Sequence, residues 1–99
     1  MGSNKSRKYE AVFIYQVGED KFTSGKTEVS EELGKAGIKV LKEDDMGERT
    51  LAYSIKNQGR GHYMRYDVET EPDKIKPLDK SLKLKPEILK YVFFRKEDR

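Results

Sequence analysis

The chain of 99 residues contains no cysteine and no tryptophan. Without cysteine there can be no disulfide, no thiolate nucleophile and no cysteine-ligated zinc or iron–sulfur centre. A single histidine, His62, is too little for a histidine-built zinc site, which takes three or four protein donors. No apolar run approaches the ~20 residues that cross a bilayer. The opening Met1-Gly2-Ser3-Asn4-Lys5-Ser6 has no apolar core of the kind that directs secretion. Residues 1–6 therefore read as a disordered extension or an expression remnant, and residues 7–99 as a single domain in a soluble, reducing, intracellular setting. Hydrophobic residues are also scarce, at 34 % against 39 % charged. The core has to come from a few well-phased elements, helped by six tyrosines and four phenylalanines that each bury a large area. A chain of this length has little room for a deep substrate cleft.

What is present is a mild excess of positive charge, +3 from 21 basic and 18 acidic residues. That total does not single out a nucleic-acid partner, but its distribution says more. Glu43, Asp44, Asp45 and Glu48 form an acidic stretch, whereas Lys80, Lys83, Lys85, Lys90, Arg95 and Lys96 make the C-terminal part basic.

Tyr9, Ala11, Phe13 and Tyr15 alternate with Glu10, Val12 and Ile14, the period of a strand over Lys8–Tyr15. Both sides are largely apolar, which predicts a central strand with a contact surface on its second face. Gly18–Gly25 reads as a turn. Val29, Leu33 and Ala36 then fall at helical spacing, with Gly37 as the stop. Ile38–Ile55 reads as one long bulged strand, with Gly47 at the bulge. Lys56–Gly61 reads as a glycine-rich turn into a strand over His62–Glu69. Ile75, Leu78 and Leu82 give a second helix. Pro77 predicts that this helix either starts a turn late or is kinked. Tyr91–Lys96 is the last strand. The order strand–helix–strand–strand–helix–strand predicts an α+β, ferredoxin-like split βαβ–βαβ fold. Its four-stranded antiparallel sheet carries two helices on one face, with the first and third strands central.

No acid–base or nucleophile constellation emerges. His62 reads as a semi-buried aromatic or a surface histidine. Glu43, Asp44 and Asp45 lack the glycine and distal glutamate of a calcium loop and read as a solvated strand edge. Gly59-Arg60-Gly61 precedes a strand, not a helix, so it is no phosphate loop. The expectation is a binding protein with no cofactor, no metal, no small-molecule substrate and no membrane association. Its open sheet face would present Val12, Ile14, Tyr63, Arg65 and Asp67. Arg7, Lys8, Arg49, Lys56, Arg60, Lys90 and Arg95 flank the sheet, where lysine and arginine contact phosphates without reading base sequence.

From Arg7 to about Lys96 the chain resembles the small-subunit ribosomal protein number six family of bacteria and organelles. Arg7-Lys8-Tyr9-Glu10 is similar to the family's opening. Gly47-Glu48-Arg49-Thr50-Leu51-Ala52-Tyr53-Ser54-Ile55-Lys56 resembles its signature, and the match runs on through Gly61-His62-Tyr63, Leu82-Lys83-Leu84, Leu89-Lys90-Tyr91 and Arg95-Lys96. Ser54 stands where the family usually has proline. The resemblance implies a ferredoxin-like constituent of the small subunit of the cytoplasmic ribosome. It also implies binding to the central domain of small-subunit ribosomal RNA as a heterodimer with ribosomal protein number eighteen during platform assembly. Arg7, Arg49, Lys56 and Lys90 are then expected at RNA, and Val12, Ile14, Tyr53 and Tyr63 at the protein partner. Two other readings fit the fold: a ligand-binding or regulatory domain that homodimerises through its sheet, and, less supported for want of an acid–base pair, a small isomerase-like enzyme.

Overall fold

Alternation along the first strand decides how the layers are arranged. The computed structural model describes residues 6–96, so all but Ser6 of the expected N-terminal extension lies outside the described residues. Strand β1 (Arg7–Tyr15) turns Tyr9, Ala11, Phe13 and Tyr15 into the core. It is followed by α1 (Glu19–Lys35), β2 (Lys39–Ile55), β3 (Gln58–Thr70), a 3₁₀ turn (Pro72–Lys74), α2 (Ile75–Lys83) and β4 (Ile88–Arg95). The four antiparallel strands lie in the order β2-β3-β1-β4, so β1 and β3 are central, as the split βαβ topology requires. Val12 is flanked by Arg65 of β3 and Val92 of β4, which fixes the register of the central strands.

The core lies between this sheet and the helices. Phe13 is completely buried, and its ring lies 5.4 to 6.2 Å from those of Tyr15, Tyr66, Tyr91 and Phe93. Phe22, Val29 and Leu33 enter from α1, and Leu78 and Leu82 from α2. Two buried tyrosines within this layer satisfy each other's polar atoms: the Tyr15 and Tyr66 hydroxyls are 2.7 Å apart. Burial, reinforced by its neighbour, holds the Tyr15 phenol far above its ordinary value, and burial pushes Tyr66 up to about 12. The pair stays protonated and acts as a hydrogen-bonded strut between β1 and β3.

Helix α1 starts at Glu19, inside the Gly18–Gly25 stretch that reads as a turn and ten residues before Val29, the first residue of the expected periodicity. The glycine and serine between Phe22 and Lys26 look like turn residues, but Phe22 already begins the buried stripe. Gly25 is in the helix for want of space: a Cβ there would lie 2.6 Å from Cδ1 of the buried Tyr15 ring. Glu19 and Asp20 favour the positive end of the helix. At the other end Ile38 N–H bonds back to Leu33 O at 2.9 Å across Gly37, whose φ of +77° closes the helix as expected.

Of the two outcomes open for Pro77, the late start is found. The 3₁₀ turn precedes it, and Pro77 is the third residue of α2, where a backbone N–H has no intrahelical acceptor to lose. β2 is one continuous strand whose register with β3 shifts between Asp45 and Gly47. The turn that follows is tighter than Lys56–Gly61. Lys56 and Asn57 alone make it, at φ +50° and +65°, the left-handed pair that a two-residue hairpin needs. Gly59 and Gly61 are consequently strand residues, and β3 starts at Gln58. β4 likewise starts at Ile88, three residues before the expected Tyr91, because Ile88 is buried and already paired to Tyr15 of β1, with buried Leu89 at the register shift that follows.

Candidate partner and nucleic-acid interface

The sheet face away from the helices carries Glu10, Val12 and Ile14 from β1, Tyr63, Arg65 and Asp67 from β3, and Lys90, Val92 and Phe94 from β4. Their centre is an apolar cavity of about 240 Å³ lined by Val12, Ile14, Tyr63, Lys90, Tyr91, Val92 and Phe94. Phe94 is 53 % exposed and Val92 38 %, so the cavity has an apolar rim open to solvent. Neither residue was among those expected here. The signal lies in the alternation of Tyr91 and Phe93 against Val92 and Phe94, within the segment that reads from the sequence as the last strand without its faces assigned.

Ile14 differs from expectation, being 8 % exposed. The long β2–β3 hairpin covers it: around Gly61, the Ile14, Leu51 and Leu89 side chains all come within 3.7 Å of where a Cβ would stand. This second apolar cluster supports the floor of the cavity. Tyr53 is 73 % exposed on the hairpin and does not line the cavity. Arg65 spans the upper part of the face and is paired, with Nη2 2.7 Å from Asp44 Oδ2 and Nη1 3.8 Å from Glu10 Oε2. Lys96 pairs with Asp67 at 3.2 Å. The acidic stretch of β2 is thus not a merely solvated edge. Asp44 neutralises Arg65, and Asp45 holds His62.

The seven cations expected at RNA do not form one patch. Arg7, Lys8 and Arg95 gather at one end of the sheet, where Arg95 is opposite Tyr9 and Lys96 N–H bonds Lys8 O at 2.9 Å. Lys56 and Lys90 lie at the other end, about 20 Å away at strand rise. There they line a groove of about 480 Å³ with Lys83, a residue of the basic C-terminal stretch that was not among the expected RNA contacts. The Lys56 ammonium is tied to Ile88 O at 2.9 Å, which brings the hairpin end to the start of β4. Asp79 lines the same groove, pairing with Lys83 at 3.1 Å and accepting the Tyr91 hydroxyl. Arg49 and Arg60 are on the hairpin, Arg49 over the Tyr63 ring at 5.7 Å and Arg60 3.4 Å from Glu48.

His62 lies on the helix side, stacked on Phe22 with ring centroids 3.5 Å apart and planes 5° from parallel. Its Nε2 is 2.6 Å from Asp45 Oδ1. The semi-buried aromatic reading therefore holds: His62 joins β2, β3 and α1. The His62 hydrogen bond, with help from the Gly47 N–H, lowers the Asp45 carboxyl below its ordinary 3.8. A lowered acid stabilises the fold above its unfolded value, and that contribution is lost as pH falls through the folded value. Asp45→Asn should therefore flatten the acid limb of denaturation midpoint against pH below about 4 and leave neutral pH within about 1 kcal/mol, because the group is half exposed.

Among the described residues no cluster of histidine and carboxylates is placed to hold a metal ion. Among the described residues no helix is long and apolar enough to cross a membrane.

A small split-βαβ domain with one open sheet face, an apolar cavity at its centre and cations at both ends defines the class: a ferredoxin-like binding module. Residues 8–95 match the sequence profile of the family described as Ribosomal protein S6. The small ribosomal subunit protein bS6 of Treponema pallidum is 38 % identical over 89 residues, covering 90 % of this chain and 96 % of that protein. That of Treponema denticola is 36 % identical over 92 residues, covering 93 % and 99 %. The crystal structure of 30S ribosomal protein S6 from Thermotoga maritima superposes with a TM-score of 0.82 at 27 % identity, covering 93 % of this chain and 89 % of that one. The chain belongs to the ribosomal protein S6 family. It is accordingly a structural, RNA-associated constituent of the small subunit of the cytoplasmic ribosome, in a family whose role is not enzymatic.

Proposed function

We propose that the chain enters the small subunit as half of a heterodimer with ribosomal protein number eighteen, and that the pair binds the central domain of small-subunit ribosomal RNA as the platform assembles. The observation that carries this reading is the solvent-open apolar cavity on a sheet face where Glu10, Arg65 and Asp67 are already paired. An exposed aromatic beside a preformed concavity is what a protein partner anchors on. Val12, Tyr63 and Phe94 supply the anchor surface, with Ile14 as its floor and Arg65 as part of a charged rim. Tyr53 extends the contact along the hairpin. Phosphate contacts fall to Arg7, Lys8 and Arg95 at one end, Lys56 and Lys90 at the other, and Arg49 and Arg60 between them. Burying the cavity against one partner leaves Arg7, Lys8 and Arg95 at one end and Lys56 at the other free for RNA, with Lys90 at the boundary between the two surfaces.

The reading predicts weak RNA binding by the chain alone and tighter, salt-sensitive binding with the partner. Gel shifts that show no gain on adding the partner would sink it. Phe94→Asp should weaken the heterodimer by about 2 kcal/mol or more, roughly thirtyfold. It should leave the weak RNA binding of the isolated chain unchanged. A stable homodimer in size-exclusion chromatography that Phe94→Asp dissolves would favour the homodimeric reading instead.

A further inference from the structure

The two helices share one face of the sheet but differ in charge. Helix α1 carries five acidic and three basic residues. From Pro72 to Lys96, across α2 and β4, there are eight basic residues and three acidic ones. Within α2, Leu78 and Leu82 are buried four residues apart, and that phase fixes what faces outward. Lys76, Lys80 and Lys83 form the exposed row. Their steps of four and three residues advance about 6 and 4.5 Å along the axis. Among the described residues Lys76 and Lys80 have no ion pair, and Lys83 has only an exposed i,i+4 pair with Asp79. The row ends at the groove shared with Lys56 and Lys90.

We infer that the Lys76–Lys80–Lys83 row is a phosphate track, which continues the Lys56–Lys90 groove along the outside of α2 and holds one strand of ribosomal RNA by its backbone. This deepens the reading above and rests on it. Lysine is depleted from protein–protein interfaces, and this face has no exposed aromatic or arginine to anchor a protein. A lysine row on a helix suits a polyanion: each ammonium is a flexible point charge that settles on a phosphate and displaces a counterion. The acidic α1 beside it repels the same strand and so sets which helix the RNA follows. The contact is blind to base sequence, so it positions the protein on its RNA and does not select the site.

The test measures binding of the full chain with its partner to a transcript of the central domain, across a salt series. The variants are Lys76→Gln/Lys80→Gln/Lys83→Gln and a control of equal charge loss, Lys21→Gln/Lys35→Gln/Lys39→Gln, on α1 and the start of β2. Glutamine matches lysine in helix propensity, so both should melt like the parent. The α2 triple is expected to weaken binding about tenfold or more at low salt and to reduce the slope of log K against log salt by about 2 to 3, at 0.7 to 0.9 per phosphate. The control should leave the slope unchanged, and arginine at the three α2 positions should restore it. Equal behaviour of the two triples would overturn the track while leaving the RNA-binding reading intact. An α2 triple that lowers affinity for the partner protein without changing the slope would overturn it too, by assigning the row to a protein surface. No RNA binding by the parent pair would overturn both.

Discussion

Phe13→Ala is expected to cost about 3–5 kcal/mol, enough to unfold much of the population of a domain this size at 37 °C. Phe13 is on the central strand, has no exposed surface, and meets four aromatic rings contributed by β1, β3 and β4. Its removal leaves a cavity that cannot collapse, because the surrounding rings are themselves held. Tyr15 and Tyr66 are joined through their hydroxyls, and Tyr91 donates to Asp79. Chemical denaturation of the variant should give a lower midpoint with an unchanged slope. Phe13→Leu should recover a large part of the loss. A fall of less than about 1.5 kcal/mol for the alanine variant, the range of a volume-conserving core exchange, would mean that the aromatic layer is loosely packed.

Gly61→Val is expected to destabilise by about 3 kcal/mol, the upper end for overpacking. A Cβ at position 61 would lie 2.3 Å from Cγ2 of Ile14. That methyl is on a β-branched side chain of a central strand, stiff at χ1, and cannot swing aside. Leu51 and Leu89 close the remaining directions. Gly59, two residues earlier in the same strand, is the internal control, since a Cβ there meets nothing within 4 Å. Gly59→Val should be neutral or slightly stabilising, because valine suits an extended strand better than glycine does. If both variants cost the same, the hairpin does not pack over Ile14. The Gly61 cluster also floors the partner cavity, so Gly61→Val should weaken heterodimer formation at temperatures where the variant remains folded.

Elements whose signal is local were legible in the sequence. The period-two run from Tyr9 to Tyr15 gives both faces of β1, and Gly47 marks the bulge of β2. The order of elements was enough for the sheet order β2-β3-β1-β4, because right-handed crossovers leave few alternatives. The start of α1 was not legible, since Gly25 looks like a turn residue until the Tyr15 ring is seen against it. Nor was the start of β4, where Ile88 and Leu89 form no alternating pattern with their neighbours. The individual residues of the candidate site were largely legible by type and face: Val12, Tyr63 and Arg65 are on the open face as phased. What residue type cannot convey is pairing. Arg65 reads as a cation in search of a ligand, and only the approach of Asp44 and Glu10 shows that it is already engaged.

By itself the sequence determined the topology, the core faces of β1 and β3, the family through its Gly47–Lys56 signature, and the exclusion of cysteine chemistry. Apart from the family, which rests on the resemblance of that motif, those properties follow from periodicity and composition, which depend on neighbours along the chain. Tertiary structure alone decided that the expected RNA cations divide between two ends of the sheet, that Ile14 is a floor and not a surface, and that Lys56, Lys83 and Lys90 share one groove. The physical reason is distance along the chain. Those arrangements bring Lys56 beside Lys83 and Lys90, and Gly61 over Ile14, through the hairpin and the antiparallel register, and no local pattern records which distant side chain a folded strand will bring alongside.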